Sequence, residues 1–154
     1  MKIHILAIGN KMPGWVEAGC EEYHKRLPKG MVTIQSLAPA KRGKTTSTQN
    51  VIETESQRLV EAIPPNYVSV ALDKSGASWS TEQLSQQISH WQMQGQSVAL
   101  LIGGPDGMSQ NCIQQAQQVW SLSALTLPHP LVRILLLEQI YRAWSLLNNH
   151  PYHK

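Results

Sequence analysis

Titratable and aromatic groups crowd the C-terminal part of the chain. His129 stands between two prolines, and the chain ends Asn148-Asn149-His150-Pro151-Tyr152-His153-Lys154. Imidazole is the side chain whose charge changes near neutral pH. His129, His150 and His153, three of the six histidines, therefore suit either proton handling or contact with nucleic acid. Arg142 follows Glu138 by four residues, the spacing that pairs opposite charges on one helix face. No cysteine or carboxylate stands at ligand spacing from the histidines, so a zinc site is not expected.

Three other stretches offer backbone rather than side chains. They are Leu72-Asp73-Lys74-Ser75-Gly76, Ile102-Gly103-Gly104-Pro105-Asp106-Gly107, and SLSALTLPHP from Ser121 to Pro130. Gly103-Gly104 removes two side chains at a strand end, which lets the backbone approach a ligand closely. The turn is neither a Walker A loop nor GxGxxG, and no Lys-Ser/Thr follows to handle phosphates. A nucleoside without phosphates fits it better than a triphosphate. In the third stretch Trp120, Leu122 and Ala124 share one face by the two-residue period, and Leu125 and Leu127 take the other. The phase slips between Ala124 and Leu125. Pro128 and Pro130 then fix φ, remove two donors and bias Leu127 and His129 away from helical geometry. A bent apolar segment with free backbone groups could hold a flat heterocycle, although a short strand followed by an ordinary turn leaves the same pattern.

These stretches must be positioned by regular elements. Ile3–Ile8, Val32–Leu37, Tyr67–Leu72, Ser97–Ile102 and Trp120–Ala124 read as strands. Pro13–Arg26, Gln49–Ile63, Ser80–Met93, Asn111–Val119 and Leu131–Leu147 read as helices. Ser80 and Gln83 fit a capping box. The alternation predicts an α/β domain over residues 1–154, with a mostly parallel sheet flanked by helices. In open sheets of this kind ligands bind outside the carboxyl ends of the strands, where the three backbone-rich stretches fall. The last helix is apolar on more than one face, so it is either central to the fold or half of a dimer interface.

The 154 residues are 42% hydrophobic and only 15% charged, enough for one core and low in charge. The net charge of +3 is unevenly spread. Residues 1–44 carry eight basic side chains against three glutamates; the remainder carries five basic and seven acidic. Lys25, Arg26, Lys41, Arg42 and Lys44 are the candidate phosphate contacts. Two cysteines, Cys20 and Cys112, make no disulfide framework. The apolar start is too short for a signal peptide, and Ile134–Leu137 is too short to span a membrane. The expected location is the cytoplasm.

LLIGGPDGMS (100–109), WSLSALTLPHPLVR (120–133), EQIYRAW (138–144) and NHPYHK (149–154) resemble the ribosomal RNA large subunit methyltransferase H family, of the SPOUT class. The Lys11-Met12-Pro13 start and Lys41-Arg42-Gly43-Lys44 are similar as well, and the likeness covers the whole chain. The resemblance implies a C-terminal trefoil knot, a topology chains ordinarily avoid, and a homodimer. It implies S-adenosylmethionine as methyl donor, with no metal, and N3 of a 23S rRNA pseudouridine on assembled ribosomes as acceptor. The implied donor site comprises Leu72, Gly103, Leu122, Ser123, Ala124, Leu125, Thr126 and Leu127, with the slipped segment wrapping the adenosine. His129, Arg142, Tyr152 and His153 are the candidate acceptor side. Arg142 would hold a phosphate or an imide anion, Tyr152 would stack on or hydrogen-bond the base, and His153 or His129 would take the proton. Two rivals remain: a ribosome-associated binding factor of the same fold without transferase activity, and an unknotted α/β enzyme acting on a free nucleoside.

Overall fold

The computed structural model describes residues 1–153; the last residue of the tail motif, Lys154, lies outside them. The order of elements is β1 (Ile3–Ile8), α1 (Gly14–His24), β2 (Val32–Leu37), α2 (Thr48–Ala62), β3 (Val68–Ser78), α3 (Thr81–Met93), β4 (Val98–Ile102), α4 (Gln110–Gln115), β5 (Gln118–Ser121), α5 (His129–Leu147) and a 3₁₀ turn (Pro151–His153). The five strands form one sheet in the order β2-β1-β4-β3-β5, and every pairing is parallel. All five residues of β4 are buried, as its unbroken apolar run requires of a central strand covered on both faces.

The strand faces sort the helices into two layers. Ile3, Ile5, Ala7, Val98, Leu100 and Ile102 point into a core shared with Leu84 and Ile88 of α3 and Leu136, Leu137 and Ile140 of α5. Leu6, Ile8, Ala71, Ala99 and Leu101 point the other way, onto Leu59 of α2 and Cys112 and Ile113 of α4. The greasy α5 is thus central to the fold: it packs on both α1 and α3. Leu131 and Leu135 remain partly exposed at 40% and 38%, so one stripe near its start is left uncovered.

Several element bounds differ from the expected ones, and four of the differences have a clear physical cause. The fifth strand is Gln118–Ser121, earlier and shorter than Trp120–Ala124, and the helix before it stops at Gln115. The Gln117 N–H donates to the Ser69 carbonyl at 3.0 Å, and its side-chain oxygen accepts from the Ser69 N–H at 2.8 Å. That tether draws the chain into the sheet before a second helical turn can form. The third strand runs on to Ser78, but Leu72 and Ala77 both oppose Trp120, so Asp73–Gly76 loops out between them. The last helix starts at His129, two residues early, because Pro130 occupies its first turn, where a missing N–H costs nothing.

The capping box on α3 is formed as read: Ser80 Oγ accepts from the Gln83 N–H at 3.1 Å, and Gln83 Oε1 accepts from the Ser80 N–H at 2.8 Å. Ser80→Ala should therefore cost about 1 kcal/mol of stability. It should appear as a lower urea midpoint at unchanged slope; an unaltered midpoint would show that the cap contributes nothing.

Candidate active site

The strand order places the carboxyl ends of β4, β3 and β5 side by side, so the three backbone-rich stretches meet. They enclose a cleft of about 210 Å³. Leu72, Gly103, Leu122, Ser123, Leu125, Thr126 and Leu127 line it; Ala124 does not and is exposed. Asp73 and Lys74, from the first of the three stretches, and Met108 and Val132, which lie outside them, also contribute walls. Gly103 has no room for a side chain, since a Cβ there would lie 2.9 Å from Met108 Cγ and 3.0 Å from the Gly107 carbonyl carbon. The phase slip after β5 has a hydrogen-bond cause. Ser121 Oγ donates to the Ser123 carbonyl at 3.2 Å, and Ser123 Oγ accepts from the Leu125 N–H at 2.9 Å. Serine hydroxyls that bond two residues away replace the ladder and bend the chain.

A second hollow of about 300 Å³ shares Pro105 with the cleft. It is almost wholly apolar, with Ile8, Gly9, Met12, His129 and Arg42 among its walls. Together the two hollows reach the size usual for a small-molecule site. His129 Nε2 accepts from Arg133 Nε at 2.8 Å, and Arg133 Nη1 donates to Ser36 Oγ at 2.9 Å. Burial pushes the His129 pKa down, the Arg133 charge adds to this, and a hydrogen bond with the Gly103 backbone opposes it. Arg133 is 6% exposed; in the sequence it is only a charge interrupting an apolar helix, one helical turn from His129.

The other candidate acceptor residues lie elsewhere. Arg142 donates to Glu138 Oε1 through Nε at 2.8 Å and Nη2 at 2.6 Å, and the Tyr152 hydroxyl donates to the same oxygen at 3.0 Å. The Arg142 guanidinium sits 4.9 Å from the Tyr152 ring centre. Burial and the Glu138 hydrogen bond push Tyr152 up to about 12, so it remains a phenol at neutral pH. His153, in the 3₁₀ turn, has a buried Nδ1 without a partner among the described residues. His129 and Arg142 are thirteen residues apart in one continuous helix, or roughly 20 Å at 1.5 Å per residue. A single chain therefore does not bring His129 together with Arg142, Tyr152 and His153.

The basic candidates divide in the same way. Lys25 pairs with Glu22 at 2.8 Å. Arg26 also pairs with Glu22 and lies 5.7 Å from the Tyr152 ring centre, joining the Arg142 cluster. Lys41, Arg42 and Lys44 are exposed on the loop after β2, with Arg42 bridged to Asp106 at 2.6 Å, next to the cleft. A larger groove of about 560 Å³ between α1 and β2 holds Cys20 and His24 but none of the cleft loops.

The lowered His129 pKa has a consequence for stability. The unfolded chain takes up a proton near the ordinary value of 6.5 that the folded one resists, so stability is full above that pH and falls on acidification. The melting temperature should drop between pH 7.5 and 5.5, and His129→Gln should flatten that drop. An equal slope in both proteins would rule out this source.

Comparisons with known proteins agree with this geometry. The family model described as "Predicted SPOUT methyltransferase" matches residues 1–153. The chain is 54% identical to the ribosomal RNA large subunit methyltransferase H of Saccharophagus degradans and 49% identical to that of a Marinomonas species, over the full length of both chains in each case. Among solved structures, TrmJ from Z. mobilis superposes with a TM-score of 0.55 at 13% identity, covering 94% of this chain and 70% of that one. Lpg2936 from Legionella pneumophila, solved with SAM bound, gives 0.51 at 14% identity, covering 94% and 66%; these two share the fold. A full-length match to the family model and to relatives at this level of identity leaves one conclusion: the chain belongs to the ribosomal RNA large subunit methyltransferase H family of SPOUT methyltransferases.

Proposed function

We propose that the chain transfers a methyl group from S-adenosylmethionine to N3 of a pseudouridine in the 23S rRNA of assembled ribosomes. It does so in the cytoplasm, as a homodimer with a C-terminal knot. The observation that carries this reading is the backbone-lined cleft where three adjacent strand ends meet, in a chain of this family. The cleft fits the donor: Gly103 leaves a bare backbone wall, Leu72, Leu122 and Leu127 offer apolar faces for a flat base, and Lys74, beside Asp73, is the one cation among its walls. When bound there, S-adenosylmethionine supplies an electrophilic sulfonium methyl.

The chain's own residues have three tasks. Leu72, Gly103 and residues 122–127 hold the donor. Arg142, fixed by Glu138 and Tyr152, holds a phosphate or the imide anion left when N3 loses its proton. With its hydroxyl on Glu138 and a guanidinium over its ring, Tyr152 orients Arg142 rather than stacking on the base. His153 takes the proton, since Tyr152 cannot. Because the two ends of α5 are so far apart, the donor cleft of one subunit works with the Arg142 cluster of the other. The uncovered stripe of Leu131 and Leu135, with Trp15 of the adjoining helix α1 at 58% exposure, is the apolar surface for that pairing. Lys41, Arg42 and Lys44 contact rRNA phosphates beside the cleft.

Labelled methyl from S-adenosylmethionine should enter the large-subunit rRNA of assembled ribosomes lacking the modification, and neither naked 23S rRNA nor small-subunit particles. Donor binding without any transfer would leave a binding factor in place of an enzyme. His153→Ala should reduce turnover by about 10²-fold or more, the usual contribution of a general base, with donor affinity intact. Gly103→Val should do the reverse and abolish donor binding; if it bound normally, the cleft would be assigned wrongly.

A further inference from the structure

His129 is the one ionisable imidazole at the donor end among the described residues, which makes it the obvious proton acceptor. Its surroundings argue for another task. A neutral imidazole has a single ring lone pair for accepting a proton. In His129 that pair, on Nε2, already receives the Arg133 Nε–H at 2.8 Å. The other nitrogen then carries the ring proton, and the ring faces the Gly103–Gly107 turn: it shares the apolar hollow with Pro105, and the Gly103 backbone opposes the fall in its pKa. Protonating Nε2 would break the first bond and leave two cations in contact within an interior that solvates them poorly. Around the ring the charged or titratable groups are Arg133 on its own helix, Arg42 across the apolar hollow, and Cys20 of α1 beyond Arg133. None is a carboxylate that would favour an imidazolium.

Arg133 is itself unusual. Its guanidinium is buried, and its fixed partners are two neutral atoms, His129 Nε2 and Ser36 Oγ. Nη2 has no partner. It rests against the end of β1, where a Cβ on Gly9 would lie 3.0 Å from Nη2 and 3.3 Å from His129 Nε2. Burying an unpaired charge is costly, so the arrangement persists only if something depends on it. What it joins is the end of β1, the end of β2 and, through the imidazole, the Gly103 turn.

We propose that Arg133 and His129 are a positioning pair that fixes the Gly103 backbone, and with it the donor loop, and that His129 is not the proton acceptor of the reaction. The inference rests on the donor-cleft reading above. Arg133 keeps the imidazole neutral and correctly turned, and the imidazole holds the turn in the shape the donor meets.

The test uses the full-length protein, S-adenosylmethionine affinity by calorimetry, and the pH dependence of turnover on ribosomes lacking the modification. His129→Ala and Arg133→Met should each weaken donor binding by tenfold or more. His129→Gln, whose amide can accept from Arg133 and donate to Gly103, should recover binding to within about threefold. Its turnover at saturating donor should keep the acid limb of the wild-type profile. Should Arg133→Met fail to fold, the histidine pair decides alone. Loss of turnover and of the acid limb in His129→Gln, at unchanged donor affinity, would make His129 the base and overturn the proposal. Unchanged affinity in His129→Ala would overturn it too. Wild-type protein that bound no donor would overturn the cleft reading, and this inference with it.

Discussion

The helix α5 is the constraint from which the rest follows. Its first turn is fixed at the carboxyl edge of the sheet by the His129–Arg133–Ser36 chain of hydrogen bonds. Its nineteen residues then run back across the core to the amino edge, where the 3₁₀ turn folds onto it. Between these ends Leu136, Leu137, Ile140 and Ala143 are buried, so the helix can neither slide nor bend without opening the main core. Two chemical centres are thereby held at a fixed spacing of roughly 20 Å. The proposed donor cleft stands at one end and the Glu138–Arg142–Tyr152 cluster at the other.

That spacing makes sense of several otherwise unrelated features. The chain carries little charge and leaves Trp15, Leu131 and Leu135 partly bare on neighbouring stretches of α1 and α5. A second copy covering this stripe would give each donor cleft an acceptor cluster that its own chain holds out of reach. The basic residues are divided in the same sense. Arg42 stands at the cleft, while Arg26 is locked among Tyr23, Tyr141 and Tyr152 at the far end. Electrostatic contact with RNA would then run across the assembly rather than along one subunit.

Much of this was legible in the sequence. β1 and β2 fall where their apolar patterns put them, the capping box of α3 is made as spelled, and the Glu138–Arg142 pair forms at its four-residue spacing. Seven of the eight candidate donor residues line the cleft because the Gly-Gly turn and the slipped SLSALTL segment mark strand ends. What escaped depends on contacts distant in sequence. The Gln117–Ser69 tether, 48 residues apart, decides where the fifth strand begins. Arg133 reads as one more charge on a helix until Ser36, 97 residues away, is seen beside it. The separation of His129 from the tail residues within one chain was hidden for the same reason, since residue type carries no distance and a straight helix imposes one.

The most direct measurement of this arrangement mixes two inactive chains. Gly103→Val removes the donor wall and leaves the tail whole; Arg142→Ala removes the anion-holding group and leaves the cleft whole. Unfolded together and refolded as mixed dimers, they place both lesions in one composite site and leave the other intact. Methyl transfer to ribosomes should then reappear in the mixture, though neither variant alone supports it. A mixture as inactive as its parents, with mixed dimers shown to be present, would place donor and acceptor groups within one chain and contradict the arrangement.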